Sequence, residues 1–333
     1  MIRKYKYSIC ITLMVVYLLD TSYIFNAFTI SLSLFIAINN LIFWIEHLKY
    51  SRRAKDLFGV DDLTNTYLGT GIRTRIPVKY KRIIFIITGF DSFASDFDLL
   101  VEGLPSNVLT ICPRAYGWDF NDLHFLRNAK WNEIYIYYED IFKILYTMTE
   151  SIDIVAHSNG CNIAALLASR HKINKLFLLA PNFSNSLPLC FLKFVFLSVL
   201  EKPLEFLFPI LPLIQEDSLF CKGKRATSYM NLDRMPSARW LKRTAVPFRA
   251  VVQQWRLQNS ASKSGLWQTD QVYLVQDEKD SVVGPPNKQI ELIKKHLFID
   301  GQLHIKIGSN LTHDMIKRGT INAWLREKLT ETD

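Results

Sequence analysis

A short run of strand-forming residues leads directly into a serine and then into a helical pattern, and this arrangement constrains the fold most. Residues 152–156 are mostly β-branched and apolar. Ser158 and Gly160 follow as turn residues, and small apolar residues at 164–168 indicate a helix. This order exposes the serine hydroxyl at the top of a sheet, with the amino end of a helix directed toward it. A Ser-x-Gly turn alone also fits an ordinary βα connection, so a functional role depends on residues further along the chain.

Strand and helix patterns alternate through the remainder of the chain. The apolar runs predict strands at 81–87, 107–112, 152–156, 174–179, 271–275 and 303–307. The helical patterns fall at 94–103, 133–149, 160–170, 287–297 and 314–328. The run at 81–87 is continuously apolar after two basic residues, which is typical of a strand covered on both faces. The sequence therefore predicts an α/β fold with a mostly parallel, doubly wound sheet and helices on both faces.

A serine hydroxyl is a weak nucleophile unless a histidine takes its proton and a carboxylate orients that histidine. In the serine hydrolases that this strand–turn–helix arrangement resembles, the acid follows the serine along the chain and the histidine follows the acid. The strand at 271–275 ends in an acidic loop with three carboxylates, Asp277, Glu278 and Asp280. We predict that Asp280 is the acid, and Asp277 and Glu278 remain the alternatives.

The histidine is predicted at position 313, on the polar loop after the last strand and before the last helix. His304 lies within the preceding strand pattern, where a structural role is expected. His296 falls in the helix at 287–297 and is predicted to lie at the surface. His157 precedes the serine directly, and we interpret it as a packing or tuning residue.

An oxyanion formed at the serine needs two backbone N–H donors. One is predicted to be Asn159, the residue after the nucleophile. The other is predicted on the loop that follows the first buried strand. That strand ends in Thr88-Gly89-Phe90, where the glycine allows a sharp turn and the N–H of Phe90 is the candidate donor.

These residues resemble the α/β-hydrolase superfamily, and within it the branch of S33 serine aminopeptidases, lysophospholipases and monoacylglycerol lipases. The resemblance covers roughly residues 75–330, and it departs from the family's GHSMGG elbow at Ala156 and Cys161. Thr88-Gly89 stands where that branch has His-Gly. The resemblance implies an α/β-hydrolase fold, a serine nucleophile, an acyl-enzyme intermediate, and no metal or organic cofactor. Asp280 and His313 match the acid and base motifs.

About ninety residues separate the strand ending near 180 from the strand beginning at 271, more than a βα connection needs. In this fold such an insertion usually forms a cap over the active site. Its first part, 187–214, is strongly apolar but contains charges and prolines, which argues against a membrane span. We predict an acyl-binding wall or a lid that dips into the membrane interface. Residues 234–258 are predicted to form a second, amphipathic cap helix with an interruption at Pro247.

The first 48 residues are predicted to be a membrane segment of one or two helices. Residues 7–45 contain a single charged side chain, Asp20, and the run at 24–45 is long enough to span a bilayer. The run at 7–19 is short, and a signal peptide is the main alternative. Basic residues flank both ends of the segment: Arg3, Lys4, Lys6, Lys49, Arg52, Arg53 and Lys55. The positive-inside rule therefore predicts a cytoplasmic catalytic domain.

The predicted organisation is a membrane segment at 1–48, a linker at 49–75, core at 76–180, a helical cap at 181–268, and core at 269–333. The net charge is +9, and the basic residues are scattered along the sequence. This charge fits attraction to an anionic membrane surface. The sequence contains no nucleic-acid-binding motif. The five cysteines have no metal-ligand spacing. The expected partners are the membrane and a lipid-like acyl ester.

Three functions remain open at this point. The first is a membrane-anchored carboxylic-ester hydrolase of the lysophospholipase or monoacylglycerol lipase type. The second is a peptidase or acyltransferase with the same three catalytic residues. The third is a membrane-tethered binding protein without activity, which the intact serine, aspartate and histidine argue against.

Overall fold

Six parallel strands form the central sheet of the protein, whose structure is a computed structural model. It describes residues 82–89, 94–105, 107–113, 128–149, 151–184, 245–280, 282–297, 301–309, 311–313, 315–316 and 319–331, with short stretches at 29–34, 37–38, 41, 201–202, 205 and 210–212. The prediction of a doubly wound, parallel α/β fold is confirmed for these residues.

The elements follow the predicted alternation closely. The strands are β1 (Arg82–Ile87), β2 (Val108–Ile111), β3 (Ile152–His157), β4 (Lys175–Leu179), β5 (Ile210–Pro212), β6 (Ala245–Pro247), β7 (Gln271–Asp277) and β8 (Gln302–Gly308). The helices are α1 (Asp98–Val101, preceded by a 3₁₀ turn at Ala94–Phe97), α2 (Trp131–Tyr146), α3 (Gly160–Ala168), α4 (Phe248–Ala261), α5 (Pro286–His296) and α6 (Asn322–Thr330). The sheet order is β2-β1-β3-β4-β7-β8, and β5 pairs separately and antiparallel with β6.

The two faces of the sheet carry separate apolar layers, because successive strand residues point to opposite sides. On one face Ile83, Phe85 and Ile87 pack with residues of α2, α3, α4 and α5. On the other face Ile84 and Ile86 pack with residues of α1 and α6. The strands β1, β3 and β4 are almost entirely buried, as their continuous apolar runs predict.

The strand order reverses beside β1, since the chain goes from β1 outward to β2 and then returns to β3 on the other side. In open parallel sheets, ligands bind outside the carboxyl ends of the strands at such a switch point. The segments that leave β1 and β3 here are Thr88-Gly89 and Ser158. The fold therefore brings the serine turn to the position where a site is expected.

Two helices differ from the sequence expectation. The last helix begins at Asn322 rather than near 314, because Gly319 has a φ of 69° and Thr320 Oγ1 donates to the carbonyl of Met315 at 3.2 Å, which makes a turn. The predicted helix at 234–258 begins at Phe248 in the structure, after extended backbone that ends in Pro247, and its residues 234–244 lie outside the described residues.

Most of the predicted membrane segment and all of the predicted linker lie outside the described residues. Residues 29–34, 37–38 and 41 are helical. No helix within the described part of the chain has the length and apolar character to cross a bilayer.

Candidate active site

Ser158 occupies a strained turn between β3 and α3. Its φ is 52°, in the left-handed region that residues with a side chain rarely adopt. The turn is held by backbone contacts: the N–H of Ser158 donates to Leu179 O at 2.8 Å, and Ser158 O accepts from Cys161 N at 3.1 Å. Strain of this kind costs about 1–3 kcal/mol and persists where the surrounding structure imposes it. The parallel strands β3 and β4 supply that constraint.

Two glycines let the backbone approach the serine closely. A Cβ on Gly160 would lie 2.6 Å from the carbonyl oxygens of Ile87 and Thr88, so a side chain there would separate α3 from β1. A Cβ on Gly89 would lie 2.9 Å from the Cβ of Ser158. Both contacts are too short for carbon or oxygen neighbours, which explains glycine at these positions.

Ser158, His313 and Asp280 form one hydrogen-bonded series. The Nε2 atom of His313 lies 3.0 Å from Ser158 Oγ, and its Nδ1 atom lies 2.9 Å from Asp280 Oδ2. Since a carboxylate only accepts, Nδ1 carries the proton and Nε2 is left to accept from the serine hydroxyl. This arrangement can deprotonate a serine as it attacks an electrophile.

The carboxyl group of Asp280 is enclosed and well bonded. No part of its side chain is exposed, whereas the side chain of His313 is 15% exposed. Its Oδ1 atom accepts from the backbone N–H groups of Val282 at 2.8 Å and Val283 at 3.2 Å. Burial raises the pKa of Asp280, but the hydrogen bond and charge of His313 and the two backbone donors outweigh it, so the pKa is lowered. The group therefore stays ionised opposite the imidazole.

Asp277, an alternative acid in the sequence, has a different position. Its Oδ2 atom accepts from the N–H of Thr312 at 2.8 Å, and its Oδ1 atom accepts from the N–H of Lys279 at 2.7 Å. Thr312 has a φ of 60° and directly precedes His313. The buried carboxylate of Asp277 thus joins the loop of Asp280 to the loop of His313. Sequence reasoning missed this role, although a carboxylate at the end of a buried strand was a usable signal.

The third alternative acid, Glu278, is exposed, and its backbone N–H donates to Gly308 O at 3.0 Å. His157 lies beside the site: its Nε2 atom is 2.9 Å from the carbonyl oxygen of His313, and the two rings are 5.1 Å apart. This contact supports the histidine loop from the β3 side.

The surface position predicted for His296 is wrong. The residue is buried, its ring stacks on Trp267 at 5.5 Å, and its Nδ1 atom is 3.3 Å from Gly265 O. The helix pattern did not reveal this because the partner, Trp267, comes from the loop after α4. His304 lies in β8, as expected, and its ring stacks on Tyr273 at 4.5 Å.

Asn159 is the N-cap residue of α3. The first amides of a helix have no acceptor within it, and they face an anion bound at the amino end. The backbone N–H of Asn159 therefore belongs to the part of the serine turn where an oxyanion would form. The second predicted donor, Phe90, lies outside the described residues. Within the described part of the chain no three His, Cys, Asp or Glu side chains converge to hold a metal ion.

Cys161, in the first turn of α3, is fully buried, and its thiol donates to Ala156 O at 3.3 Å. Burial raises the pKa of this thiol far above its ordinary value, so it stays protonated and unreactive. The serine is thus the nucleophile candidate at this turn.

No family model and no curated protein matches the sequence. Solved structures do. A monoacylglycerol lipase from Paleococcus ferrophilus is 16% identical with a TM-score of 0.54, over 75% of this chain and 95% of that chain. A soluble variant of monoglyceride lipase from Saccharomyces cerevisiae, in complex with a substrate analog, is 13% identical with a TM-score of 0.53, over 76% and 87%.

A structure from work on LipS and LipT, two metagenome-derived lipolytic enzymes, is 14% identical with a TM-score of 0.51, over 75% of this chain and 95% of that chain. Similarity at such low identity concerns the fold. The chain has the α/β-hydrolase fold that the sequence resemblance implies.

Proposed function

We propose that the chain is a membrane-anchored serine hydrolase that cleaves the carboxylic ester of a lipid-like substrate, of the lysophospholipid or monoacylglycerol class. The observation that carries the proposal is the series from Ser158 Oγ through both ring nitrogens of His313 to the buried carboxylate of Asp280. A plain βα turn has no need for an imidazole at the serine or for a strained φ. The two together fit nucleophilic catalysis.

Each of the three groups has a distinct role in the proposed reaction. Ser158 Oγ attacks the ester carbonyl carbon while its proton passes to His313 Nε2, and Asp280 stabilises the resulting imidazolium. The N–H groups of Asn159 and Phe90 stabilise the oxyanion. The tetrahedral intermediate collapses as the bond to the alcohol oxygen breaks, and Nε2 gives its proton to that oxygen. Water then attacks the acyl-enzyme by the same route, which releases the fatty acid and returns the proton to Oγ.

The lipid-like substrate is supported by two features of the chain. The segment at 187–214, within the proposed cap at 181–268, is rich in leucine and phenylalanine, which suits contact with an acyl chain. Two of the structurally similar proteins are monoacylglycerol and monoglyceride lipases. An acyl-binding wall beside the serine would select long-chain esters over short ones.

Membrane anchoring is supported by the amino-terminal segment. Ile30, Leu34, Ile38 and Leu41 follow a helical spacing and each leaves roughly half or more of its surface exposed. An apolar stripe of this kind is favourable in lipid and unfavourable in water. Together with the basic residues that flank residues 7–45, this supports an anchor with the catalytic part on the cytoplasmic side. Extraction of membranes with alkaline carbonate tests it: the full chain should remain with the lipid, and release would contradict the anchor.

The proposed activity is tested by fluorophosphonate labelling of the detergent-solubilised chain. Wild type is compared with Ser158→Ala, His313→Ala and the control His304→Ala, which removes an imidazole from β8 outside the site. Turnover of p-nitrophenyl esters of increasing chain length is measured in parallel. We expect labelling and turnover in wild type and the control, and loss of both in the other two variants. A folded wild type that is neither labelled nor active contradicts the proposed function.

A further inference from the structure

A group of buried amide side chains connects the serine turn to helix α4. Its members come from the elbow, from α3, from the segment after β4 and from α4, and all but the half-buried Asn182 are buried: Asn159, Asn162, Asn182, Gln254 and Gln258. Amides are uncommon in such positions because burial without a hydrogen bond is costly. We call this group the amide joint.

The hydrogen bonds of the amide joint connect its five members without a break. Gln258 Nε2 donates to the carbonyl of Asn182 at 2.8 Å, and Asn162 Nδ2 donates to the same carbonyl at 3.1 Å. Asn162 Nδ2 also donates to Asn159 Oδ1 at 3.0 Å. Asn159 Nδ2 in turn donates to Gln254 Oε1. Both ends of the Asn159 amide are therefore held, one from α3 and one from α4.

The amide joint fixes the position of α4 relative to α3 and the serine turn. If α4 shifted by one residue, Asn159 Nδ2 would lose its acceptor, and a buried unpaired donor opposes the shift. Connected buried amides restrict the relative position of two helices more than an apolar contact does, because an apolar contact still exists after one helix slides along the other. In the chain, α4 directly follows β6.

We propose that Gln254 is a positioning residue for the oxyanion donor: through the side chain of Asn159 it holds the backbone N–H of Asn159 toward the reacting carbonyl. The inference rests on the proposed ester hydrolysis at Ser158 and assigns to α4 a part in that reaction. In this role Gln254 acts through Asn159. It sets the orientation of a donor whose contribution is greatest in the transition state, so its loss lowers kcat more than it raises KM.

The test compares two glutamines adjacent on α4. Gln254→Met removes the acceptor of Asn159 at nearly constant volume. Gln253→Met is the matched control, because Gln253 is also buried but its Oε1 accepts from the backbone N–H of Trp131 at 3.1 Å, on α2. Each variant loses one side-chain hydrogen bond of α4. A third variant, Gln254→Glu, keeps an oxygen acceptor for Asn159.

We expect Gln254→Met to lower kcat for a p-nitrophenyl ester by about tenfold to a hundredfold, with KM within about twofold. Affinity for a trifluoromethyl ketone, which mimics the tetrahedral oxyanion, should fall by a similar factor. Gln254→Glu should recover most of the loss. Gln253→Met should keep wild-type kcat although its melting temperature falls comparably.

Two results overturn the inference while leaving the proposed function intact: unchanged kcat in Gln254→Met, or equal losses of kcat in Gln254→Met and Gln253→Met. The first means that the elbow holds its donor without α4. The second means that the joint contributes only general stability. A folded wild type without turnover overturns the proposed function, and this inference with it.

Discussion

An aspartate is buried at each end of the strands of the central sheet, and we call these two ends the carboxyl edge and the amino edge. The two carboxyl groups respond to burial in opposite ways. At the carboxyl edge, hydrogen bonds from His313 and two backbone amides outweigh burial and lower the pKa of Asp280. At the amino edge, burial dominates and raises the pKa of Asp153, although Arg82 Nε lies 3.4 Å from its Oδ2 and Asn174 donates to its Oδ1. Similar burial thus has different consequences, because the number and position of donors differ.

The neighbours of Asp153 show what the amino edge is for. Arg82 Nη1 donates to Leu329 O at 2.6 Å, and Lys175 Nζ donates to Glu331 O at 2.9 Å. These cations lie at the carboxyl end of α6, where positive charge is favourable. The aspartate therefore balances the cations that fasten the last helix. The comparison teaches that a buried carboxyl group is catalytic evidence only when its partner can exchange a proton with a nucleophile, as His313 can.

The largest expected effect separates the two aspartates directly. Asp280→Asn should lower kcat by about 10⁴-fold, because an amide no longer stabilises the imidazolium and favours the wrong tautomer of His313. Asp153→Asn, the control at the opposite edge, should leave kcat within about twofold. Kinetics on a p-nitrophenyl ester, with circular dichroism to verify folding, measure both. Equal losses in the two variants would contradict the distinction.

A smaller effect is expected at Asp277, the carboxylate that joins the loop of Asp280 to the loop of His313. Asp277→Asn places an N–H₂ group against one of two backbone donors, so the loop of His313 should move and kcat should fall about tenfold to a hundredfold. Asp270→Asn is the matched control at the other end of β7, where the side chain is exposed. Steady-state kinetics decide the matter, and an unchanged kcat in Asp277→Asn would show that the loop is held by other contacts.

The amino edge should affect stability and leave catalysis alone. Lys175→Met removes the donor to Glu331 O and a positive charge beside Asp153, which should lower the free energy of unfolding by about 3 kcal/mol. Lys172→Met, on the exposed turn before β4, should change it by less than about 0.5 kcal/mol. Urea titration of detergent-solubilised protein measures both. A loss of kcat in folded Lys175→Met at low denaturant would mean that the two edges are coupled.

The smallest expected effect is the pH dependence of stability from Asp153. Because its folded pKa lies above the unfolded value, the group favours folding below about pH 4 and loses that contribution as pH rises through the folded pKa. The neutral amide in Asp153→Asn resembles the protonated carboxyl group and does not titrate. The stability of this variant therefore does not fall as pH rises through the folded pKa of Asp153. The unfolding free energy of wild type minus that of the variant should therefore fall as pH rises above about 4. A difference that rises with pH would contradict the assigned direction.

Much of the fold could be predicted because it depends on local patterns. The bounds of β1, β3 and β4 agree with the apolar runs to within one residue, since a strand buried on both faces has few positions for polar side chains. The start of α6 was misjudged, because the buried Met315 and Ile316 fit a helical pattern equally well while the turn at Gly319 depends on its surroundings. The buried state of His296 likewise depends on a distant tryptophan.

The sequence by itself determined the parallel sheet and the serine turn between β3 and α3, because apolar runs and a close-approach glycine act within a few residues. Only the tertiary structure decided which of the three neighbouring acids meets His313. Asp277 ends β7, and Glu278 and Asp280 follow it within three positions. The directions of the three side chains are set by contacts with β8 and the loop beyond it. The amide joint also depends on the tertiary structure, since no local pattern brings Gln254 to Asn159. The two residues meet because α4 packs across α3.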